Sequence, residues 1–344
     1  MSPAGGRQSL VSVVRVKDSV PAAVREAMEL AQVLEAIEPG ARVCLKPNLG
    51  FDLFFPGAVT SPWVIEGVIQ ALKGRAGSIT LVESDQVLVN IEKAVRRSGV
   101  DRVLRETGVE FVNMSKGKFV EKAVPHPRRL QSVKVPEILT RSVLVTIPVL
   151  KTHDKTVLSG AIKNQWGCLE VLRHNYHLEL DEVLTDIHQV LKPAFAVCDA
   201  TVALEGAGPK TGRPRLVDRV LASNDIVALD AVSARIMGFD PAQIRHLQLL
   251  TEEGIGSARD YEVVGEDITN LNFHFEAAKH NFVSRVELGF RYSPSFRKLV
   301  FDTPVLDLMC WGATVWYLVW YYLGPGSRIR DQIIKETRYG AQWR

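Results

Sequence analysis

Short runs of β-branched residues alternate along the chain with longer stretches that carry apolar residues at helical spacing. The run SVLVTIPV is almost entirely apolar, which is typical of a strand buried on both faces. The stretch IVALDAVSARIMG repeats its apolar positions every three or four residues, as a helix does, and ends on Gly238. This alternation predicts an α/β fold of two lobes, each a layering of largely parallel sheet and helices.

Polar side chains stand at the ends of four predicted strands. In open α/β sheets the ligand crevice lies at the carboxyl ends of the strands, so the sequence predicts that these side chains share one cleft. The groups are Lys46 with Asn48, Glu83 to Asp85, Lys151 to His153, and Cys198 with Asp199.

The segment VLKTHDKTVLSGAIKNQWG holds the densest set of candidate site residues. Lys151 and Lys163 would supply point charges for an anionic substrate, and Asn164 an orienting hydrogen bond. His153 could act as a general acid or base near neutral pH. A lysine-rich surface turn without a ligand is the alternative interpretation.

A second candidate is LEGAGPKTGRP, whose glycines and prolines indicate a rigid loop after Asp199, with Glu205 at its bend. The loop lacks the spacing of a P-loop and of a dinucleotide fingerprint, so it does not favour nucleotide binding. A tight connection without a ligand is equally compatible with the pattern.

Histidines raise the question of a metal site. His174, His177, Asp186 and His188 could be assembled into a two-histidine, one-carboxylate site. Asp186 and His188 are two residues apart on a predicted helix, however, and would point to different faces. We therefore expect no metal site here, and a surface or packed role for His188.

Composition limits the range of functions and the compartment. The 42 basic and 39 acidic residues nearly cancel, so the chain lacks the clustered charge of a nucleic-acid-binding protein. The four cysteines are far apart in sequence, as expected of isolated thiols in a reducing compartment. The N-terminus does not look like a signal peptide, which predicts a cytoplasmic body.

The composition changes after about residue 285, which divides the chain into an α/β domain (1–285) and an aromatic segment (286–344). No charged residue lies between Leu308 and Leu323, a run shorter than the ~20 residues that span a bilayer. Trp and Tyr favour the headgroup interface, so the pattern predicts that residues 299–330 contact a membrane as an in-plane or re-entrant helix anchored by flanking basic residues. A helix packed on the domain or at a homodimer interface, and a single tilted span, are the alternatives.

Several ordered motifs together resemble the domain of unknown function 362 family over roughly residues 40 to 260. They are KPN, the Thr60-Ser61-Pro62 turn, LKTH, IKNQWG, EGAGPKTGRP and SNDIVALDAVSARIMGFDP. The positions that match the family pattern are Lys46, Pro47, Asn48, Lys151, His153, Lys163, Asn164, Gly167, Asp199, Gly206, Gly208, Pro209, Gly212, Asp225 and Asp230.

The resemblance favours a cleft over a surface turn for Lys151 to Asn164. Many members of the family look like redox proteins joined to a ferredoxin-like module with CxxCxxCxxxC runs. This chain has no such run, so we expect no iron–sulfur cluster of that type, and electron transfer would need an external redox partner. Any other cofactor is left open. Asp230, a carboxylate among apolar residues at helical spacing, is expected to face the cleft.

Two kinds of function fit these observations. The first is an enzyme whose small or lipid-linked anionic substrate is bound by the cleft lysines, with His153 and either Asp199 or Asp230 moving protons. Its reaction would be a reduction with an external electron donor or an isomerisation by proton transfer. The second is a membrane-docked ligand-binding or assembly protein without catalysis. In both, the chain is expected to be cytoplasmic and either peripheral to a membrane or anchored in it by the C-terminal segment.

Overall fold

The computed structural model describes residues 8–170, 176–279, 285, 289 and 305–344. His174 and the first part of the predicted membrane-contacting segment, residues 299–304, lie outside them.

The strands of the described residues are β1 (Ser9–Arg15), β2 (Arg42–Pro47), β3 (Ser78–Glu83), β4 (Glu110–Asn113), β5 (Phe119–Ala123), β6 (Ser132–Pro136), β7 (Val143–Ile147), β8 (Val149–His153), β9 (Val157–Leu158), β10 (Phe195–Glu205), β11 (Arg213–Ser223) and β12 (Tyr261–Gly265). The helices are α1 (Val20–Leu30), α2 (Pro62–Leu72), α3 (Ile91–Arg97), α4 (Val100–Thr107), α5 (Gly160–Asn164), α6 (Leu180–Val190), α7 (Ile226–Met237), α8 (Arg245–Glu252), α9 (Val305–Leu318) and α10 (Gly326–Glu336).

One sheet organises the α/β body. Its strand order is β12-β1-β11-β10-β7-β2-β3-β4, with β8 and β9 attached at β10, while β5 and β6 form a separate antiparallel pair. The run from β10 through β7, β2 and β3 to β4 is parallel throughout, and β11 is antiparallel to both of its neighbours. The predicted α/β fold with a largely parallel sheet is confirmed, and the two predicted lobes share this sheet.

Helices cover both faces of the sheet, which creates two hydrophobic cores. Cys198 and Ala200 of β10 belong to the core that also contains residues of α6, α7 and α8. Val197 and Val202 of the same strand belong to the core with residues of α1, α2 and α4. Because successive strand residues point to opposite faces, β10 is buried along its whole length.

Two strand boundaries differ from the sequence prediction. The run SVLVTIPV is two strands rather than one, because Pro148 has no N–H to donate to a sheet. The Pro148 carbonyl accepts the backbone N–H of Asp199 at 2.8 Å, and this hydrogen bond joins the break between β7 and β8 to β10. The strand after Lys192 does not stop at Asp199 but continues to Glu205, so Asp199 lies in mid-strand.

The C-terminal helix, defined as α9 with the π-helical turn Val319–Leu323, packs one side on the α/β body. The hydroxyl of Tyr321 donates to the carbonyl of Phe54 at 2.9 Å, and the Trp320 ring meets Phe55 edge-on at 5.2 Å. The alternative of a helix packed on the domain is therefore correct for this side. Among the described residues, no helix combines the length and apolarity needed to cross a bilayer.

Candidate functional site

A small pocket lies where β2, β3 and β8 end and α5 begins. Its volume is about 80 Å³, which is room for several water molecules and well below the 300–1,000 Å³ of drug-sized sites. The residues that line it are Lys46, Asn48, Gly50, Glu83, Gln86, Lys151, His153, Ser159, Lys163, Asn164, Trp166, Gly167, Pro209 and Lys210. The predicted crevice at the carboxyl ends of strands is present at this position.

Lys46 and Glu83 form a buried ion pair at the base of the pocket. The Lys46 Nζ lies 3.0 Å from Glu83 Oε2, and the two side chains are 1% and 2% exposed. Gly167 passes directly over this pair, and a Cβ at that position would lie 2.8 Å from the Lys46 Nζ. A side chain at this position would displace the buried ion pair, so the glycine allows the IKNQWG segment to approach it closely.

Asn164 fixes α5 to the strand ends. Its Nδ2 donates to the carbonyl of Lys46 at 3.1 Å and to Thr146 Oγ1 at 2.8 Å. Its Oδ1 accepts a hydrogen bond from Asn48 Nδ2 at 3.2 Å. These bonds use both ends of the amide, so Asn164 positions the pocket wall.

Lys151 is buried without a carboxylate among its hydrogen-bond partners. Its Nζ donates to Asn48 Oδ1 at 3.0 Å and to the carbonyl of Ala58 at 2.7 Å. Burial, reinforced by the nearby ammonium groups of Lys163 and Lys210, lowers the pKa of Lys151 to about 7. At neutral pH the side chain is therefore divided between ammonium and free amine.

His153 lines the same pocket as a neutral imidazole. Burial, together with the positive charge of Lys163, holds the pKa of His153 well below its ordinary value. The backbone N–H of Lys155 donates to Nδ1 at 3.0 Å, which assigns the ring proton to Nε2. The 3.3 Å approach of Asp154 Oδ1 to Nδ1 is therefore not an ion pair at neutral pH.

Lys163 and Lys210 complete the cationic lining. Lys163 stands on α5 and is half-buried. Lys210 belongs to the loop between β10 and β11, with its Nζ 5.8 Å from the ring centroid of Phe51 and 5.1 Å from that of Tyr317. Burial among these rings lowers the pKa of Lys210 to about 8. Among the described residues that line the pocket, four are lysines and one, Glu83, carries a carboxylate.

Asp230 does not face the pocket, contrary to the sequence prediction. Its carboxylate accepts the backbone N–H groups of Ala161 at 2.6 Å and Ile162 at 2.9 Å, so it caps the start of α5. Gly160, at φ +55°, makes room for this contact, since a Cβ there would lie 2.3 Å from the carboxylate. Burial raises the pKa of Asp230 to about 6 against the opposing effect of those two hydrogen bonds. Asp230 positions the helix that carries Lys163.

Asp199 and Glu205 also lie outside the pocket lining. Asp199 accepts the N–H of Ser61 at 2.8 Å and the hydroxyl of Thr201 at 2.6 Å, and its burial raises its pKa. Burial acts to raise the pKa of Glu205, but the guanidinium groups of Arg213 and Arg215 outweigh it and hold that pKa below its usual value. Through these contacts both carboxylates stabilise the backbone around the pocket.

The histidine candidates for a metal site are dispersed. His177 stacks on the Trp166 ring at 5.9 Å, while Asp186 accepts backbone N–H groups from residues 128–130. His188 is fully buried and bonded to the carbonyl of Leu184 at 2.8 Å, and burial lowers its pKa to about 4. Within the described ranges, no group of three or more His, Cys, Asp or Glu side chains could hold a metal ion.

Five pocket residues were not singled out as candidates from the sequence: Gly50, Gln86, Ser159, Trp166 and Lys210. Glu83 was expected in the cleft because it ends a predicted strand, and it ends β3 beside β2, the strand that carries Lys46. Lys210 stands in the glycine-rich loop that sequence reasoning connected with Glu205 alone. The inward turn of that loop depends on the close approach of Gly208 to the Thr152 carbonyl, which no local pattern specifies.

Comparison with known proteins supports one assignment. The chain is 28% identical over 218 residues to the thylakoid-associated protein sll1697 of Synechocystis sp., a match that covers 60% of this chain and 66% of that protein, just under two thirds. A family model described as domain of unknown function (DUF362) matches residues 43–235, which contain all the strands and helices around the pocket apart from the C-terminal helix. The family match agrees with the ordered motifs and with the pocket that they build. The chain belongs to the domain of unknown function 362 family.

Proposed function

We propose that the protein is an enzyme that binds a small anionic group in the pocket and moves a proton on the bound molecule with Lys151. The observation that carries the proposal is the placement of Lys151, buried beside two further pocket lysines and without a carboxylate among its hydrogen-bond partners. An uncompensated buried ammonium is costly, and an anionic ligand would offset that cost.

The hydrogen bonds of Lys151 suit proton transfer. A neutral amine has two N–H groups, and both can be donated to Asn48 Oδ1 and the Ala58 carbonyl. The nitrogen lone pair then remains available to a substrate in the pocket. Taking a proton from a C–H bond beside a carbonyl would convert Lys151 to the ammonium form and the substrate to an enolate.

The other cationic and donor groups would stabilise that intermediate. Lys163 supplies positive charge near the developing enolate oxygen, and the neutral His153 supplies an Nε2–H donor. If the substrate carries a carbon–carbon double bond next to that C–H group, the intermediate is a dienolate, and return of the proton from Lys151 to its far carbon shifts the double bond and completes an isomerisation. In this scheme His153 is a hydrogen-bond donor rather than the proton carrier, and Asp199 and Asp230 have no part in the chemistry.

Binding is tested first by thermal stabilisation with inorganic phosphate and with short 2-oxo carboxylates as probes. Wild type should be stabilised. Lys163→Ala should need about tenfold or more ligand for the same stabilisation, since a charge-assisted contact contributes about 1.5–3 kcal/mol. The matched control is Lys73→Ala, an exposed lysine at the end of α2 that should behave as wild type. Equal stabilisation of all three proteins would show that the pocket is not the anion site.

Proton transfer is tested by NMR in D₂O, following loss of the C3 proton signals of the same 2-oxo acids. Exchange by wild type should be lost in Lys151→Met. Exchange that survives in Lys151→Met would rule out Lys151 as the proton carrier. Anion binding without exchange would favour the alternative of a ligand-binding protein without catalysis.

We also propose that the protein docks on a membrane surface through the outer side of the C-terminal helix. The relative named above is a thylakoid-associated protein, and in this chain residues 308–327 contain no charged side chain. The exposed large apolar residues of the C-terminal helix recur at helical spacing and form an apolar stripe. The stripe comprises Leu308, Trp311, Val315, Leu318, Val319, Tyr322 and Leu323.

The stripe suits an in-plane helix at the headgroup level, with Trp311 and Tyr322 as interfacial aromatics. Flotation with vesicles of anionic and zwitterionic lipid measures this docking. The double variant Trp311→Ser/Leu323→Ser should bind at least tenfold more weakly, while Leu216→Ser, at an exposed leucine of β11 outside the stripe, should bind like wild type. Unchanged flotation of the double variant would contradict docking by the stripe.

A further inference from the structure

Lys210 connects the pocket to the C-terminal helix. It lines the pocket, yet its Nζ also lies over the ring of Tyr317, 5.1 Å from the centroid. Tyr317 meets Phe51 edge-on at 5.8 Å, and Phe51 is the second ring beneath the same ammonium group. The cationic wall of the pocket is thus built on an aromatic surface to which the C-terminal helix contributes.

The pocket is too small to enclose more than the end of a substrate. At about 80 Å³ it can hold a phosphate- or carboxylate-sized group with some water, and the rest of a larger molecule must lie outside. The part of such a molecule that extends past Lys210 would lie beside the half-buried ring of Tyr317, whereas Phe51 is 2% exposed and supports the wall from behind. The face of the Tyr317 ring is apolar, so this exit favours an apolar rather than a polar remainder.

The aromatic exit leads toward the apolar stripe. Leu318, the residue after Tyr317, is 38% exposed and already belongs to the stripe. An α-helix with its side chains is about 10–12 Å across, so the pocket side and the stripe are separated by about the width of one helix. An alkyl chain of moderate length can extend over that distance.

We infer that the substrate is an amphiphile whose anionic head occupies the pocket and whose apolar chain runs past Lys210 along the Tyr317 side of the C-terminal helix. This inference rests on the proposed anion pocket and names the substrate class that the pocket serves. It also explains why a cationic pocket and an exposed apolar stripe occur on either side of the same helix.

The test is isothermal titration of wild type with methyl, butyl and hexyl phosphate below their aggregation concentrations. A parallel series of acetate, hexanoate and octanoate distinguishes a phosphate head from a carboxylate head. Affinity should rise with chain length in the series whose head fits, by about fourfold for each methylene that leaves water. Inorganic phosphate and acetate measure the contribution of the head alone.

Two variants distinguish the contribution of the alkyl chain to affinity from that of the anionic head. Tyr317→Ala should flatten the dependence on chain length, and the affinity for the shortest probe shows separately how far loss of the ring under Lys210 affects the head. Trp311→Ala, on the outer side of the same helix and 66% exposed, should keep the full dependence on chain length. Thermal unfolding of both variants checks that the helix remains packed, and Tyr317→Leu serves as a smaller change if Tyr317→Ala unfolds.

The outcomes distinguish the inference from the function on which it rests. Tight binding of the short probes with no gain from longer chains would overturn the amphiphile and leave the anion pocket standing. Failure of every probe to bind wild type would overturn the anion pocket as well. A chain-length dependence that is equal in wild type and Tyr317→Ala would also overturn the proposed path along the helix.

Discussion

The pocket and the C-terminal helix depart from the usual distribution of side chains in opposite directions. In the pocket, the lysines Lys46 and Lys151 are 1% and 3% exposed, although lysine is the residue type most often left in water. On the C-terminal helix, Trp311 and Leu323 are 66% and 84% exposed, although such side chains are normally buried. A buried charge lowers the stability of the folded chain, and an apolar side chain that stays exposed adds nothing to it.

The two regions differ in what would compensate the buried positive charge of the pocket and the exposed apolar surface of the helix. The charge of Lys46 is compensated inside the chain by Glu83, whereas Lys151 has only neutral hydrogen-bond partners. Glu83 acts on Lys151 only from a distance, and burial with the neighbouring lysines outweighs it. The apolar stripe is likewise left exposed by the described part of the chain. Features that do not improve folding are expected where a protein binds something, so the comparison separates structural residues from candidates for binding.

The largest effect is expected from Lys46→Met. It leaves the Glu83 carboxylate buried without its cation, which costs about 3–5 kcal/mol of unfolding free energy. Lys151→Met leaves only two neutral acceptors without a donor and should cost about 1–3 kcal/mol of unfolding free energy or less. Urea unfolding at pH 7.5 measures both, and the double variant Lys46→Met/Glu83→Met should recover much of the loss. Equal costs for the two single variants would remove the proposed distinction between Lys46 and Lys151.

Next in size is Asp230→Ala, which leaves two buried N–H groups at the start of α5 without acceptors. At about 1–3 kcal/mol for each unsatisfied donor, partly relieved by relaxation, we expect a loss of about 2–4 kcal/mol. Asp240→Ala removes an exposed cap of the Ala242 N–H and should cost about 1 kcal/mol. If the two variants lose the same stability, Asp230 does not have the capping role assigned to it.

A smaller effect should appear as a pH dependence of stability. The pKa of Lys151 is about 7 in the folded protein and lies near 10.4 for an unfolded lysine, so between these values the unfolded state binds more protons. Wild-type stability should therefore rise with pH across this window relative to Lys151→Met, by up to about 1.4 kcal/mol per pH unit. Urea unfolding of both proteins at pH 7.5, 8.5 and 9.5 gives the slopes. Parallel profiles would contradict the lowered pKa of Lys151.

The smallest effect belongs to the stripe. Trp311→Ser should change the unfolding free energy by no more than about 0.5 kcal/mol, because the side chain has little to pack against. Tyr321→Phe, on the inner side of the same helix, loses the bond to the Phe54 carbonyl and should cost about 1 kcal/mol. A Trp311→Ser loss larger than that of Tyr321→Phe would mean that the stripe is part of the folded core.

Local pattern was enough to predict much of the site. Lys46, Lys151, Lys163 and Asn164 were identified because polar residues follow apolar strands, and the carboxyl ends of parallel strands converge at one edge. The carboxylates were harder to assign, since a buried aspartate can face a cleft or accept nearby backbone N–H groups. The role of Asp230 depends on the position of α5, whose Ala161 and Ile162 lie 69 and 68 residues earlier in the chain.

The sequence by itself determined the α/β fold, the family and the group of lysines at the ends of the strands, because alternation, strand ends and ordered motifs are local properties. The tertiary structure alone decided that Glu83 neutralises Lys46 rather than Lys151 and that Asp230 caps a helix. It also decided which side of the C-terminal helix faces the body, since aromatic residues occur all around that helix. These are contacts between distant parts of the chain, and their energies depend on distances that appear only when the chain is folded.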